Sequence, residues 1–213
     1  MTKTRHIGLI AALSISLMGA AHAQDSATVD ATVTLEQSVP PLALTGQSSL
    51  NFGAVNIPNG TETGHSCHYN VGVSGATPTY QLYEYSETDT LTDTTVPTPS
   101  GCNWGSASTP DASYGVFAVT CNPASTVDFT TSWTNGVATG VNLEAGTGTV
   151  TQSFSNSDLS STLASGSSAG GMSATCPADG DMYVAIGGRL VVQTTASAGT
   201  DVLVGTVTLD AAY

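Results

Sequence analysis

From Ala27 to Glu36 apolar and polar residues alternate without a break: Ala27, Val29, Ala31, Val33 and Leu35 against Thr28, Asp30, Thr32, Thr34 and Glu36. Successive side chains of an extended strand point to opposite faces, so this pattern sets one whole apolar row against a core and suits no helix. The same period returns along the chain. It predicts strands over Leu50 to Val55, Tyr69 to Val73, Thr79 to Tyr85, Gly115 to Cys121, Thr126 to Trp133, Gly148 to Phe154, Met182 to Ile186, Arg189 to Thr194 and Asp201 to Tyr213. In the last of these Leu203, Val207, Leu209, Ala211 and Tyr213 share a face, which predicts a closing strand inside the fold rather than a loose tail. Gly187-Gly188 between two apolar runs reads as a hairpin turn, because the favoured turns want positive φ at both central residues. Ser86 to Gly101 and Ser155 to Thr175 read as loops. Many short strands, with no helical periodicity to supply parallel crossovers, predict an all-β, antiparallel β-sandwich.

The first residues carry a different signal. Lys3 and Arg5 precede an apolar run from Ile7 to Met18, followed by Ala21-His22-Ala23, the small-x-small pattern of a signal-peptidase site. The run is shorter than the roughly 20 residues needed to cross a bilayer, so it reads as a cleaved export signal with Gln24 as the new N-terminus. No later segment is long and apolar enough to span. The expected organisation is a signal peptide over 1–23, an N-terminal strand over 24–36 and one sandwich domain over 37–213, with the mature protein in the periplasm, on the cell surface or outside the cell.

Export makes the cysteines legible. Cys67, Cys102, Cys121 and Cys176 all follow the cut, and an even count in an oxidising compartment predicts two disulfides, with three connectivities open. It also leaves Arg189 as the one Lys or Arg of the mature chain against 16 acidic residues. Such a surface repels nucleic acid and anionic lipid, and suits solubility in a salty exterior.

No residue set reads as a catalytic centre. Gly166-Ser167-Ser168-Ala169-Gly170 has the spelling of a nucleophile elbow, but no apolar strand leads into it and the mature chain offers only His65 and His68 as a base. His65-Ser66-Cys67-His68 holds soft metal ligands, yet extension puts His68 on the face opposite His65 and Cys67, and a disulfide removes the thiolate. Asp179-Gly180-Asp181 and the acidic run from Glu87 to Asp93 could gather oxygens for calcium without the spacing of a full calcium loop. Trp104 and Trp133 with Tyr80, Tyr83 and Tyr85 could offer a sugar platform or simply pack the core and its rim. An outer-membrane barrel would need lipid-facing apolar strands and aromatic girdles that so polar a chain lacks. The expectation is a non-enzyme with no cofactor and no metal.

Short motifs at both ends add a resemblance. Leu50-Asn51-Phe52-Gly53-Ala54-Val55 resembles the opening of an uncharacterised family of exported bacterial domains. Gly187-Gly188-Arg189-Leu190, Ala198-Gly199, Gly205-Thr206-Val207-Thr208-Leu209 and Tyr213 resemble its closing segment. Tyr80-Gln81-Leu82-Tyr83 and Trp104-Gly105 are similar to the spore-coat-U type of secreted pilin-like domain. These patches cover about a third of the chain. The resemblance implies an immunoglobulin-like or pilin-like sandwich similar to chaperone–usher pilus subunits, on a Gram-negative surface. Its implied partners are copies of itself or a related subunit, a periplasmic chaperone and an usher. In such subunits a neighbour's N-terminal strand fills a groove by β-augmentation, a role that would fall to Ala27, Val29, Ala31, Val33 and Leu35, while Tyr213 resembles the strand end that chaperones grasp. The same segment could instead complete its own sheet and leave a monomeric binding module for carbohydrate or calcium.

Overall fold

The computed structural model describes residues 41–59, 65–85, 91–94, 101–105, 111–146 and 150–213. These form strands β1 (Ala43–Ser48), β2 (Ser66–Ser74), β3 (Thr77–Tyr85), β4 (Leu91–Thr94), β5 (Gly115–Thr120), β6 (Thr126–Asn135) and β7 (Val141–Glu144). Then come β8 (Val150–Phe154), β9 (Thr162–Ser167), β10 (Met172–Thr175), β11 (Asp181–Ile186), β12 (Gly188–Gln193) and β13 (Gly205–Ala212). Among the described residues there is no helix, and every paired strand runs antiparallel. The architecture is the all-β antiparallel sandwich that the alternation predicts.

Three sheets carry the strands, in the orders β1-β5-β11-β8-β9, β10-β6-β13 and β4-β3-β2-β12-β7. Sheets one and two enclose a core of Val119, Val127, Phe129, Met172, Ala174, Met182, Val184, Ile186 and Leu209. The third sheet turns Cys67, Tyr69, Val71, Leu82, Leu190 and Val192 onto a second core that includes Phe52, Trp104 and Leu143. Trp133 and Val207 touch both. Strand β11 is buried on both faces, since Ala185 packs with Val73, Phe154 and Leu159 in a third cluster. Each strand's parity thus follows its apolar positions, as a period-two pattern requires.

Four expectations are corrected. Leu50 to Val55 is no strand: only Asn51 bridges, to Ser113, and Gly53 then turns with φ +62°. A Cβ on Gly53 would lie 2.4 Å from the Asp111 carbonyl oxygen, which explains the glycine, while Phe52 is buried beside it. Ser155 to Thr175 is no loop, because it contains β9 and β10, and Ser86 to Gly101 contains β4. The last strand starts at Gly205, not Asp201. Leu203 lies before it and is 70% exposed, so it does not share the core face of Val207, Leu209 and Ala211.

Gly187-Gly188 is not a hairpin turn. Strand β11 belongs to the first sheet and β12 to the third, so the two glycines carry the chain from one sheet to the other. Neither has a positive φ. Close approach is the reason for both: a Cβ on Gly187 would stand 2.3 Å from the Val71 carbonyl oxygen, and one on Gly188 2.8 Å from the Trp133 ring. Backbone cannot step aside as a side chain can. Gly187→Ala is therefore expected to cost about 2 kcal/mol in urea unfolding and Gly188→Ala less, since Trp133 can tilt. Equal costs would contradict this reading.

Candidate assembly edge

The two disulfides are Cys67–Cys102, with Cα atoms 5.5 Å apart, and Cys121–Cys176, at 6.0 Å. The first ties β2 to the segment carrying Trp104, whose ring meets Tyr69 and Tyr80 edge-on at 5.0 and 5.7 Å. The Tyr69 hydroxyl donates to the Asn56 carbonyl and that of Tyr80 to the Ala112 carbonyl. Trp104 and Tyr69 are buried and Tyr80 packs against the same core, so these aromatics knit the fold together rather than presenting a platform. The second disulfide builds a corner. It joins the residue after β5 to the residue after β10, and there Cys121 N–H donates to the Gly180 carbonyl, Ala124 N–H to that of Cys176 and Cys176 N–H to that of Ser125.

Among the described residues the sandwich of the first two sheets is closed on one side only. Edge strands β9 and β10 follow one another through the turn at Ser168–Gly171. The Ser168 carbonyl accepts from Thr131 Oγ1 at 2.7 Å and Trp133 Nε1 at 3.2 Å. Ser168 itself is fully buried, its hydroxyl meeting Thr151, so the elbow-like spelling is a structural turn whose serine meets no histidine among the described residues. On the opposite side lie β1 and β13. Among the described residues β1 pairs only with β5 and β13 only with β6. Counted from the closed side, the second sheet stops after three strands and the first after five. Leu42 just before β1, Leu44 and Phe117 of the wider sheet, and Val207 and Ala211 of the narrower one are left half-buried against the core.

Natural edge strands are blunted by lysine, proline, bulges or brevity. Among the described residues β13 carries none of these: it runs eight residues in unbroken register with no proline and Asp210 as its only charge. Strand β1 has no charge but is shorter, and its register shifts as at a bulge between Gly46 and Ser48. Of the residues assigned to the closing strand, Val207, Leu209 and Ala211 line the open side, Tyr213 is half-exposed at its end, and Leu203 is outside the strand. The five donor-strand positions Ala27, Val29, Ala31, Val33 and Leu35 lie outside the described residues. The edge itself could have been suspected from the long uncharged run at 203–209, but sequence does not show which strands lack a neighbour.

A second cluster, which the sequence did not bring together, occupies the face of the third sheet turned away from the core of Tyr69 and Leu190. Arg189 on β12 stands opposite Asn70 on β2 and Glu144 on β7. Its Nε donates to Asn70 Oδ1 at 2.8 Å, its Nη1 lies 3.4 Å from Glu144 Oε1, and its guanidinium sits 5.8 Å from the Tyr83 ring centre. Arg189 is 8% exposed and Asn70 1%. Beside them His68 stacks on Tyr85 at 4.2 Å and meets the Ser66 hydroxyl through Nε2 at 3.0 Å. Among the described residues no group of three His, Cys, Asp or Glu is placed to hold a metal ion. Asp179 accepts from the Asp181 N–H and Asp181 from Thr120 Oγ1, so these acids serve their own turn.

Burial, reinforced by the Arg189 charge, holds the His68 imidazole down to about pKa 4 from its usual 6.5. The unfolded chain therefore binds a proton that the folded chain refuses between those two values. Stability supplied by neutral His68 is complete above pH 6.5, falls as pH drops towards 4 and levels off below it. Allowing for partial solvent screening, the loss is about 1–2 kcal/mol. His68→Gln should remove that part of the pH dependence in denaturant titrations at pH 4.5 and 7. An unchanged slope would show that His68 is not its source.

No protein-family model matches the chain, and neither a curated protein nor a solved structure matches it significantly. The class is accordingly defined by the fold alone: an antiparallel β-sandwich with two disulfides.

Proposed function

We propose that this chain is an exported, non-enzymatic subunit of a surface fibre or adhesive layer, assembled by strand exchange in the manner of pilins. The segment from Ala27 to Leu35 of one copy, or of a related subunit, lies along the open side between β1 and β13 of the next. A periplasmic chaperone and an usher are its expected assembly partners. The observation that carries this reading is the eight-residue edge of β13, paired on one side only among the described residues, beside half-buried Leu42, Leu44 and Phe117. An added strand would satisfy the edge's backbone groups, and apolar residues at every second position would cover the exposed flank of the core. The run Ala27, Val29, Ala31, Val33, Leu35 has that spacing.

The test is to purify the mature protein from periplasm beside a form lacking Asp25 to Glu36. Strand exchange predicts detergent-resistant ladders from the intact protein. The shortened form should stay monomeric or chaperone-bound and take up a synthetic peptide of the missing strand. A stable intact monomer that simply unfolds on truncation would sink the proposal.

A further inference from the structure

Tyr213 follows β13 and is half-exposed, so burial alone does not fix its ring. Its hydroxyl accepts a hydrogen bond from the Asn122 N–H at 2.8 Å. Asn122 belongs to the disulfide corner, with its own side chain donating to Ser125 and Ala124 held at φ +63°. It lies two residues beyond Thr120, the last residue of β5 and the register partner of Ala43 at the start of β1. On the other side Ala212, just before Tyr213, pairs with Asp128 of β6. Tyr213 therefore links the end of the narrow sheet to the corner that follows β5, level with the start of β1. At its other end β13 begins against β7, where a Cβ on Gly205 would stand 2.9 Å from the Leu143 side chain.

We infer that Tyr213 is a positioning residue, a stop that closes one end of the open side and fixes the register of the strand received there. This rests on the strand-exchange reading. A strand with apolar residues at every second position can slide by two residues and still present the same face to the core, so face matching alone leaves register ambiguous. A fixed obstacle at one end removes the slid alternative. The tyrosine hydroxyl supplies it through a corner that the Cys121–Cys176 bridge holds in place.

The experiment refolds the mature chain by dilution in the presence of a peptide of residues 27–35 bearing a benzophenone at position 31. After irradiation, mass spectrometry identifies the β13 residue captured. The natural chain should give one position. Tyr213→Ala and Tyr213→Phe should add a second, two residues nearer position 213, carrying at least a fifth of the product. Should Tyr213→Ala fail to fold, the Phe variant, which keeps the ring and loses only the hydroxyl, decides. One unchanged position in every folded variant overturns the stop. If the natural chain captures no peptide on β13, strand exchange itself fails and takes the stop with it, whereas a single unshifted register leaves strand exchange standing without the stop.

Discussion

Replacing all four cysteines by alanine is expected to leave the mature chain largely unfolded at 25 °C. The Cys67–Cys102 and Cys121–Cys176 bridges span 35 and 55 residues. Loop-closure entropy assigns each about 4 kcal/mol through the denatured state, and together they rival the whole 5–15 kcal/mol by which domains are commonly stable. Removing one bridge alone should lower Tm by roughly 10–15 °C in a domain of this size, with the fold kept. All four half-cystines are buried, so the alanines also forfeit packing. Circular dichroism of the two double variants and the quadruple variant measures this directly. A quadruple variant that melts cooperatively within a few degrees of the natural chain would show that the cores, and not the bridges, supply the margin.

Arg189→Ala is expected to cost about 3 kcal/mol and Arg189→Met about half of that. Alanine leaves the fully buried Asn70 Oδ1 without its donor, abandons the stack on Tyr83 and opens space on the covered face of the third sheet. Methionine fills part of that space but repairs no hydrogen bond. The Glu144 contact contributes little to the difference, because Glu144 is half-exposed at 48% and its charge is screened. Glu144→Gln should therefore cost under about 1 kcal/mol. Denaturant midpoints of the three variants separate these terms; equal losses for Arg189→Met and Arg189→Ala would assign the whole effect to the hydrogen bond.

Much of the fold was legible in the sequence because burial follows parity. Thr126 to Trp133 reads as a strand with Val127 and Phe129 inward, and both are buried in β6. Strands β9 and β10 escaped because their inward residues are small or few. Ala164 and Gly166 in β9, and Met172 and Ala174 in β10, give too little apolar contrast against Ser and Gly to raise the period above a loop's composition. Gly187-Gly188 was misread because a double glycine serves equally for positive φ and for close approach, and only the Val71 carbonyl decides between them. Cysteine pairing needs Cα separations that no spacing reveals. The edge that β1 and β13 form among the described residues is hidden for the same kind of reason: an edge is defined by the strand that is not beside it, which is a property of the sheet order and not of any segment.

Strand exchange requires β13 to receive a strand from another molecule. Hydrogen exchange of the amides of residues 205–212 tests that most directly, measured by mass spectrometry on monomer and on detergent-resistant assemblies from the same preparation. Amides of an edge strand that face away from their partner exchange quickly, whereas those inside a ladder are protected. Strand exchange predicts that the outward half of the β13 amides slows at least tenfold on assembly while β6 and β11 remain as they were. Equal exchange of β13 in the two forms, or assemblies that protect some other edge instead, would contradict it.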